Sequence, residues 1–287
     1  MKFLLFGTDG QLGIEIQRRN GEHVIEARGL DEADFTKAED CVAWVEKTDA
    51  DAVINASAYT AVDKAEEMED LAAQINATTP GLLAEAAAKR GLPFVHVSTD
   101  YVFPGDGDQP FAVDAPTGPL GAYGRTKLSG EEAVRGAGGA HAILRTSWVV
   151  SAHGHNFIKT MLRLGADRDR LTIVADQIGG PTPAAALADA CLAAAEQLVI
   201  DPSKAGTYHV SGGPDCSWAD FAREIFALSG TKCEVADIPS SDYPTPAQRP
   251  LNSRMDNSLT EKTFGLARPD WRAGLSEILD ELGALKA

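Results

Sequence analysis

Cysteine is scarce in this 287-residue sequence, which contains four. Cys41, Cys191, Cys216 and Cys233 lie far apart, without a Cys-x-x-C pair and without the dense spacing of a disulfide framework. Scattered cysteines of this kind are typical of proteins in reducing compartments. We therefore expect a cytoplasmic location, with the cysteines acting as small buried hydrophobic residues.

Basic residues are few compared with acidic ones, and long apolar runs are absent. Lys and Arg total 26 against 42 Asp and Glu, which gives a net charge of -16. This balance disfavours nucleic acid and acidic lipid as partners, because both are polyanions, while local donors can still bind a small phosphorylated molecule. No apolar run reaches the roughly 18 residues of a membrane span. The opening MKFLLFG is interpreted as a first β-strand and not as a signal peptide.

Short apolar runs alternate with helical patterns along most of the chain. This βαβα order predicts an α/β protein with a Rossmann-type doubly wound parallel sheet and a smaller C-terminal lobe, interleaved with the last strands from about residue 150. Thr36 and Glu39 match a capping box at the start of the second helix. The predicted strands are 2–6, 23–27, 51–55, 94–97, 142–145, 171–174 and 208–211. The predicted helices include 64–90, 123–135, 156–164, 184–198, 218–228 and 271–285.

A glycine-rich turn, GTDGQLG, joins the first predicted strand to the first helix. Its spacing is G-x-x-G-x-x-G, one residue away from the dinucleotide fingerprint G-x-G-x-x-G. Main-chain N–H groups and the helix dipole at such a turn can hold a pyrophosphate. A flexible turn is the alternative, but the flanking strand and helix favour an NAD(P)-binding Rossmann domain over residues 1–150 and a substrate-binding lobe over 151–287. The predicted cofactor residues of the turn are Gly7, Gly10, Gln11, Leu12 and Gly13.

The end of the second strand bears on the type of cofactor. No acidic residue stands there to bind a ribose 2'-hydroxyl, and Arg28 is present instead. An arginine at this place favours the 2'-phosphate of NADPH, with NADH as the alternative cofactor and a solvated loop charge as the competing interpretation of Arg28. Asp34 and Phe35 are predicted to flank the adenine, and Phe35 also fits an ordinary core position.

Tyr123 and Lys127 are four residues apart at the start of a predicted helix, so they share one face. An ammonium near a phenol lowers the pKa of the phenol from about 10. We expect Tyr123 to donate a proton to a carbonyl oxygen while a hydride reaches the carbon. Thr99, at the end of the fourth strand, is predicted to be a second donor to the developing oxyanion.

Two other chemistries find little support. The segment His153-Gly154-His155 suggests a metal, but no further ligand stands at suitable spacing nearby, so we predict a polar loop and no metal site. A G-x-S-x-G elbow is absent from the sequence, which argues against a serine hydrolase.

Eight segments, in order along nearly the full chain, resemble the dTDP-4-dehydrorhamnose reductases of the extended short-chain dehydrogenase/reductase superfamily. They are GTDGQLG, NASAYTAVDKAE, VSTDYVFPGDGDQPF, YGRTKLSGE, RTSWV, NFIKTMLRL, DQIGGPT and YPTPAQRPLNSRM. The glycine turn and the Tyr-x-x-x-Lys pair are shared across the superfamily, whereas STDYVFPG and YPTPAQRP are much more specific to this branch. The resemblance implies that NAD(P)H reduces the C4 ketone of dTDP-4-dehydro-L-rhamnose to give dTDP-L-rhamnose.

The resemblance also implies roles for individual residues. The catalytic triad is matched by Thr99, Tyr123 and Lys127. Further cofactor contacts are matched by Ala58, Tyr59 and Thr60. Contacts with the sugar nucleotide are matched by Thr99, Asp100, Val102 and Trp148. We add Asn156 and Arg249 to the substrate side, Arg249 because a fixed guanidinium suits a pyrophosphate, with a helix cap and a surface charge as the competing interpretations.

One departure from the family bears on assembly. Some members bind Mg2+ at a dimer interface through glutamates, and Glu15 matches one of these. Ala185 and Ala186 stand where another glutamate is expected. The resemblance therefore implies a monomer, or a homodimer that is not held by a metal bridge.

Three alternative functions remain to be weighed. A sugar-nucleotide dehydratase usually needs an Asp-Glu pair after the catalytic Thr, whereas here Asp100 is followed by Tyr101. A regulatory subunit of the kind that assists a methionine adenosyltransferase needs no turnover, and the retained Thr99, Tyr123 and Lys127 argue against it. Another reductase of nucleotide-linked ketosugars is the nearest enzymatic alternative.

Overall fold

A computed structural model describes residues 1–286 of the chain. The strands are β1 Lys2–Phe6, β2 Val24–Arg28, β3 Ala52–Asn55, β4 Phe94–Thr99, β5 His141–Thr146, β6 Val149–Val150, β7 Arg170–Val174, β8 Ile178–Gly179, β9 Thr182–Pro183, β10 Gly206–His209, β11 Cys216–Ser217, β12 Glu234–Ile238 and β13 Asn252–Ser253. The α-helices are α1 Gln11–Arg18, α2 Ala38–Lys47, α3 Val62–Ala65, α4 Glu69–Ala73, α5 Thr79–Lys89, α6 Ala122–Gly136, α7 Phe157–Asp167, α8 Ala184–Ile200, α9 Trp218–Ser229, α10 Ser258–Phe264 and α11 Trp271–Glu281.

The central sheet of residues 1–286 has six parallel strands in the order β10-β5-β4-β3-β1-β2. The inner strands are apolar on both faces because helices cover both faces. Helices α1 and α8 pack on one face, and α2, α5 and α6 pack on the other. The chain leaves β1 for β2 on one side and returns to β3 on the other. This reversal places a crevice at the carboxyl ends of β1 and β3, where ligands bind in such sheets.

The C-terminal half contributes to the sheet and also builds a separate core. Strand β10 extends the sheet beyond β5, while Phe221, Ile225, Trp271 and Leu275 form the centre of a second apolar cluster. Helix α9 of this cluster begins with a capping box in which Ser217 and Asp220 satisfy each other's backbone N–H groups. In the described part of the chain, no helix has both the length and the apolar character needed to cross a membrane.

The predicted Rossmann-type sheet is confirmed, and each strand predicted within it lies within two residues of its observed position. The predicted helix 64–90 is divided into α3, α4, a π-helical turn at Gln74–Thr78 and α5. Strand β12 and helix α10 were missed, because each is short and carries a weak periodic pattern. The terminal helix was predicted to end at residue 285, and it ends four residues earlier, at Glu281.

The predicted capping box at Thr36 is wrong. The residue that precedes α2 is Lys37, and it makes no capping side-chain hydrogen bond. Asp34 instead accepts hydrogen bonds from the Thr36 backbone N–H at 2.9 Å and from the Thr36 hydroxyl at 2.8 Å. The Thr36 side chain is therefore engaged by the preceding turn before the helix begins.

Candidate active site

A cleft of about 570 Å³ opens at the carboxyl ends of β1, β3, β4 and β5. Its walls come from the glycine turn, the turn after β3, the end of β4 and the start of α6. His155 and Trp218 close it from the C-terminal half of the chain. The sheet reversal and the second core therefore build this cleft together.

The glycine turn requires glycine at two positions because the backbone is crowded there. Gly7 has φ 88°, in the left-handed region, and a Cβ on it would lie 2.6 Å from the Ser57 nitrogen. A Cβ on Gly13 would lie 2.0 Å from the Gly7 carbonyl oxygen. Gly10 precedes α1 without a capping side chain, so the N–H groups of the first helical turn are available at the cleft wall. The geometry fits a pyrophosphate-binding turn.

Gln11 connects the glycine turn to the loop after β6. Its carboxamide oxygen accepts hydrogen bonds from the Ser151 hydroxyl at 3.0 Å and from Asn156 Nδ2 at 2.9 Å. Asn156 also caps α7, since its side-chain oxygen accepts from the Lys159 N–H at 3.3 Å. The cap that stood as the competing interpretation of Asn156 is thus present, and the same side chain positions Gln11 at the cleft.

The turn at Ala58 and Tyr59 is held by Asn76, a fully buried residue that the sequence analysis missed. Asn76 Oδ1 accepts from the Tyr59 N–H at 2.8 Å, and Asn76 Nδ2 donates to the Tyr59 carbonyl at 3.2 Å. Asn76 lies in the π-helical turn, which packs so closely on α6 that a Cβ on Gly130 would lie 2.0 Å from the Asn76 carbonyl oxygen. The irregular helix therefore shapes the wall of the cleft at the Ala58–Thr60 turn.

Thr99 and Asp100 form a hydrogen-bonded pair at the end of β4. The Thr99 hydroxyl donates to Asp100 Oδ1 at 3.0 Å and accepts from the Tyr101 N–H at 3.2 Å. Burial raises the pKa of Asp100 to about 6, although several hydrogen bonds oppose the rise. Above that pH the Thr99 proton is directed at the Asp100 carboxylate. The predicted role of Thr99 as a second oxyanion donor stays a prediction.

Tyr123 lies at the first turn of α6, in edge contact with Tyr101 at 5.4 Å between ring centroids. Burial raises the pKa of Tyr123 to about 12, the Thr99 side chain opposes the rise, and the Asp100 charge adds to it. The expectation that Lys127 lowers the pKa of Tyr123 is wrong for this arrangement. Burial removes water from the phenol, and this raises the pKa by more than the ammonium could lower it. Tyr123 therefore carries its proton throughout the neutral pH range.

Lys127 is buried and directed to the backbone of β4. Its Nζ donates to the Val97 carbonyl at 2.7 Å and lies 3.4 Å from His96 Nε2. Burial lowers the pKa of Lys127 to about 8, while Glu131 opposes the change. A lysine with this pKa changes its charge near neutral pH, whereas an exposed lysine would stay charged.

The buried negative charge of Glu131 is balanced by Arg145 and stabilised by hydrogen bonds. Arg145 binds it through two hydrogen bonds of 2.8 and 2.7 Å, and the Ser98 hydroxyl donates to it at 2.7 Å. Arg145 also donates to the Val113 carbonyl at 2.9 Å. This buried network fixes α6 against β4 and β5, and it ties down the loop after Phe103.

Trp148 and Trp218 form one aromatic wall of the cleft. Trp148 has φ 50°, an uncommon conformation for a residue other than glycine, and it stacks on Trp218 with centroids 3.6 Å apart. Phe157 contacts Trp218 at 4.6 Å. Trp218 was missed by sequence reasoning, and an aromatic residue directly after the N-cap Ser217 is too weak a signal to have found it.

The structure brings many of the predicted site residues to the cleft. Those that line it are Gly10, Gln11, Leu12, Ala58, Thr60, Thr99, Asp100, Tyr123, Lys127 and Trp148. The lining does not include Gly7, Gly13, Tyr59 or Asn156, which belong to the two turns of the wall or, for Asn156, bind Gln11. Arg28, Asp34, Phe35, Val102 and Arg249 contact other groups in the described structure.

These outlying residues have identifiable partners. Arg28 pairs with Glu26 at 2.7 Å and lies over the Trp44 ring at 3.8 Å. Arg249 pairs with Asp63 at 2.8 Å. Phe35 is buried against Phe6, Asp34 binds Thr36, and Val102 packs with Phe103 and Met255. Their predicted ligand contacts remain predictions.

The surroundings of His153 differ from the sequence expectation. Folding brings Glu15 and Glu281 to within 3.2 and 3.6 Å of His153 Nε2, although neither is near it in sequence. Arg18 occupies the same place and donates to Glu281 at 2.6 Å. Further potential ligands are therefore absent near His153 along the sequence but present in the folded structure. The cation that already occupies this cluster is the Arg18 guanidinium.

A Rossmann-type sheet with a glycine turn and a Thr, Tyr and Lys set in one buried cleft defines a nicotinamide-dependent oxidoreductase of the extended short-chain dehydrogenase/reductase superfamily. The family model described as RmlD substrate binding domain matches residues 1–284. The chain belongs to this family, that of the dTDP-4-dehydrorhamnose reductases. The predicted family, fold class and enzyme class are confirmed.

Relatives and solved structures agree with this assignment. The dTDP-4-dehydrorhamnose reductase of Salmonella typhimurium is 41% identical, with 98% of each chain covered. The crystal structure of a dTDP-4-dehydrorhamnose reductase from Clostridium acetobutylicum has a TM-score of 0.92 and 38% identity, covering 99% of this chain and 100% of that one. The Bacillus anthracis enzyme, solved in complex with NADP, has a TM-score of 0.90 and 34% identity, covering 98% and 99%. A probable dTDP-4,6-dihydroxy-2-methyloxan-3-one 4-ketoreductase of Streptomyces antibioticus is 37% identical, with 98% of this chain and 96% of that one covered.

Proposed function

We propose that this chain reduces the C4 ketone of dTDP-4-dehydro-L-rhamnose with NADPH and thereby forms dTDP-L-rhamnose. The observation that carries the proposal is the meeting of Thr99, Tyr123 and Lys127 in one cleft with the glycine turn. The family assignment supplies the substrate class, since the relatives with about 40% identity over nearly the full chain are dTDP-4-dehydrorhamnose reductases.

The cofactor is assigned to the side of the cleft formed by the glycine turn and the Ala58–Thr60 turn. The backbone cradle at Gly7 and Gly13, which a Cβ would fill, fits the pyrophosphate. When bound, the nicotinamide supplies the hydride. Arg28 supports NADPH over NADH, provided that its guanidinium exchanges Glu26 for a 2'-phosphate.

Tyr123 is assigned as the proton donor. Its phenol keeps its proton at neutral pH, and as the hydride reaches C4 the phenol O–H bond breaks while a new O–H bond forms on the former ketone oxygen. Thr99 faces the phenol and is held in place by Asp100 and the Tyr101 N–H. Lys127 stabilises the phenolate that Tyr123 becomes.

The substrate side is assigned to the wall that contains Trp148 and Asp100. The indole stack suits a flat apolar ring, and the carboxyl group of Asp100 suits a sugar hydroxyl. Arg249 would release Asp63 to bind the pyrophosphate, Asn156 would act through Gln11, and Val102 would contribute through the backbone next to its buried side chain. The division into a cofactor domain at 1–150 and a substrate lobe at 151–287 belongs to this proposal.

A second candidate is the reduction of a different dTDP-linked ketosugar. The Streptomyces antibioticus relative supports it, because its described activity is that of a 4-ketoreductase on another sugar and its identity, 37%, is near that of the rhamnose enzymes. The two candidates share the catalytic residues and differ in the sugar that fits beside Trp148.

Assembly and location are also proposed. The unpaired cysteines support a cytoplasmic enzyme. The ion pairs that Arg18 makes with Glu15 and Glu281 support a monomer or a homodimer that needs no bridging metal. Light scattering with and without EDTA tests this, and a mass that halves on chelation would contradict it.

A coupled assay tests the function. The labile ketosugar is generated from dTDP-glucose by the upstream dehydratase and epimerase, and oxidation of NADPH or NADH is followed after this protein is added. We expect NADPH consumption and a product identified as dTDP-L-rhamnose by NMR. Consumption only with a ketosugar made without the epimerase would favour the second candidate, and no consumption with either sugar would remove both.

A further inference from the structure

His96 is a fully buried histidine in the middle of β4, and the mechanism above gives it no role. Its ring contacts two other buried polar side chains. Asn55 Nδ2 lies 3.1 Å from His96 Nδ1, and Lys127 Nζ lies 3.4 Å from His96 Nε2. The line Asn55, His96, Lys127 therefore runs from the end of β3 to the catalytic lysine.

The orientation of Asn55 assigns the tautomer of His96. The Asn55 carboxamide oxygen accepts from the Ser57 N–H at 3.0 Å, so the NH2 group is the end that faces the imidazole. An NH2 group can only donate, so Nδ1 must be the unprotonated nitrogen. A neutral His96 consequently carries its proton on Nε2, the atom that faces Lys127.

An N–H directed at Nζ distinguishes the two charge states of lysine. The neutral amine has a lone pair that accepts this hydrogen bond, whereas the ammonium has none and is repelled by the N–H dipole. We infer that His96 is a positioning residue for Lys127, which favours the neutral amine over the ammonium by presenting Nε2–H to Nζ and so lets Lys127 release a proton readily.

The groups around Lys127 are consistent with this assignment. From α6 itself, Tyr123 is neutral and Glu131 is the nearby anion. From β5, Arg145 binds Glu131 through two hydrogen bonds. The guanidinium charge weakens the electrostatic attraction between the Glu131 carboxylate and the Lys127 ammonium. Asp100 lines the same cleft from the turn after β4. Burial and the nearby Lys127 charge hold the pKa of His96 well below its ordinary value, so the imidazole stays neutral.

The consequence rests on the proposed role of Lys127 beside Tyr123. After each turnover the Tyr123 phenolate must regain a proton. If Lys127 supplies it, an Nζ–H bond breaks, the phenol O–H bond forms, and the amine then takes a proton from water. His96 would make this transfer easier by stabilising the amine that Lys127 becomes.

NMR on the folded wild-type enzyme tests the tautomer and does not depend on turnover. Histidine labelled with 15N should show His96 with a protonated Nε2 and an unprotonated Nδ1, unchanged from about pH 5 to about pH 9, because burial and the nearby Lys127 charge lower its pKa. A proton on Nδ1, or a His96 that titrates in that range, would overturn the inference even if the enzyme reduces its ketosugar. A failed reductase assay, conversely, would leave these spectra unaffected.

Two variants test the effect on Lys127, whose side-chain NMR signal is identified by its loss in Lys127→Met. His96→Phe keeps a ring packed against Phe94 and removes the N–H, so the Lys127 titration should move up by about one pH unit, a tenfold change equivalent to one hydrogen bond. His96→Gln retains an N–H donor at the same reach and should restore the wild-type titration. An unchanged Lys127 titration in folded His96→Phe, or equal shifts in both variants, would reject the positioning role.

Discussion

Trp148 and Trp218 stack with ring centroids 3.6 Å apart and planes inclined by 14°, although 70 positions of sequence separate them. Trp148 follows β5 of the central sheet, and Trp218 opens α9 of the second core. The backbone of Trp148 has φ 50°, a conformation that is uncommon for a residue other than glycine. This aromatic wall of the cleft therefore exists only when both parts of the chain are folded together.

Removing one indole should weaken substrate binding more than catalysis. Trp218→Ala should raise the KM for the ketosugar roughly tenfold, the upper range for one aromatic pair, with little change in kcat because the triad is untouched. Steady-state kinetics measures this, and Trp218→Phe is the matched control that keeps a stacked ring. A lower melting temperature without any change in KM would show that the stack is structural only.

Removing the Tyr123 hydroxyl should abolish proton donation. Tyr123→Phe should lower kcat by roughly 100-fold or more, the scale of positioned acid catalysis, while NADPH still binds. Cofactor fluorescence measures the binding and the coupled assay measures the rate. Tyr243→Phe, at a tyrosine that is 60% exposed, is the control expected to behave as wild type. Full activity in Tyr123→Phe would refute the mechanism.

Alanine substitutions at two glycines of the same turn should affect different properties, the stability of the fold in one case and cofactor binding in the other. Gly13→Ala places a Cβ 2.0 Å from the Gly7 carbonyl and should lower the free energy of unfolding by about 1–3 kcal/mol or more. In Gly10→Ala the added Cβ meets no protein atom closer than 3.9 Å, so the variant should fold normally. Because Gly10 lines the cleft, we expect the methyl group to weaken NADPH binding by about tenfold. Thermal unfolding and NADPH titration separate the effects, and similar stability of the two variants would contradict the packing argument.

The buried carboxyl of Asp100 should make stability depend on pH. Its pKa of about 6 lies above the value of about 4 in an unfolded chain, so between these two pH values the native state binds more protons than the unfolded state. Stability should fall as pH rises through this window and then remain at its lower level. Asp100→Asn removes the charge and should raise the free energy of unfolding at neutral pH by on the order of 2 kcal/mol, with little gain at about pH 4.

Urea unfolding at both pH values measures this difference. A similar gain at both would show that the amide improves packing and that the charge is unimportant.

Arg28 should distinguish the two nicotinamide cofactors. If its guanidinium binds the 2'-phosphate, Arg28→Ala should raise the KM for NADPH by about 10-fold or more and leave the KM for NADH nearly unchanged. Arg19→Ala, which removes an exposed ion pair with Asp189, is the control for lost charge. Equal effects on NADPH and NADH would assign Arg28 to the Glu26 and Trp44 contacts alone.

The sequence by itself determined the sheet and the family, and it predicted that Thr99, Tyr123 and Lys127 share one site, which the structure places in one cleft. Apolar runs and glycine turns are local signals, and the spacing of Tyr123 and Lys127 on one helical face follows from helix geometry. It could not determine the charge states, because the pKa of Tyr123 and of Lys127 depends on burial by distant segments.

Only the tertiary structure decided which side chains meet. The contacts of Trp148 with Trp218, Lys127 with His96 and Arg18 with Glu281 join residues that carry no local signal for each other. The physical reason is that burial and hydrogen bonding act through distance in space, whereas a sequence pattern reports only neighbours along the chain.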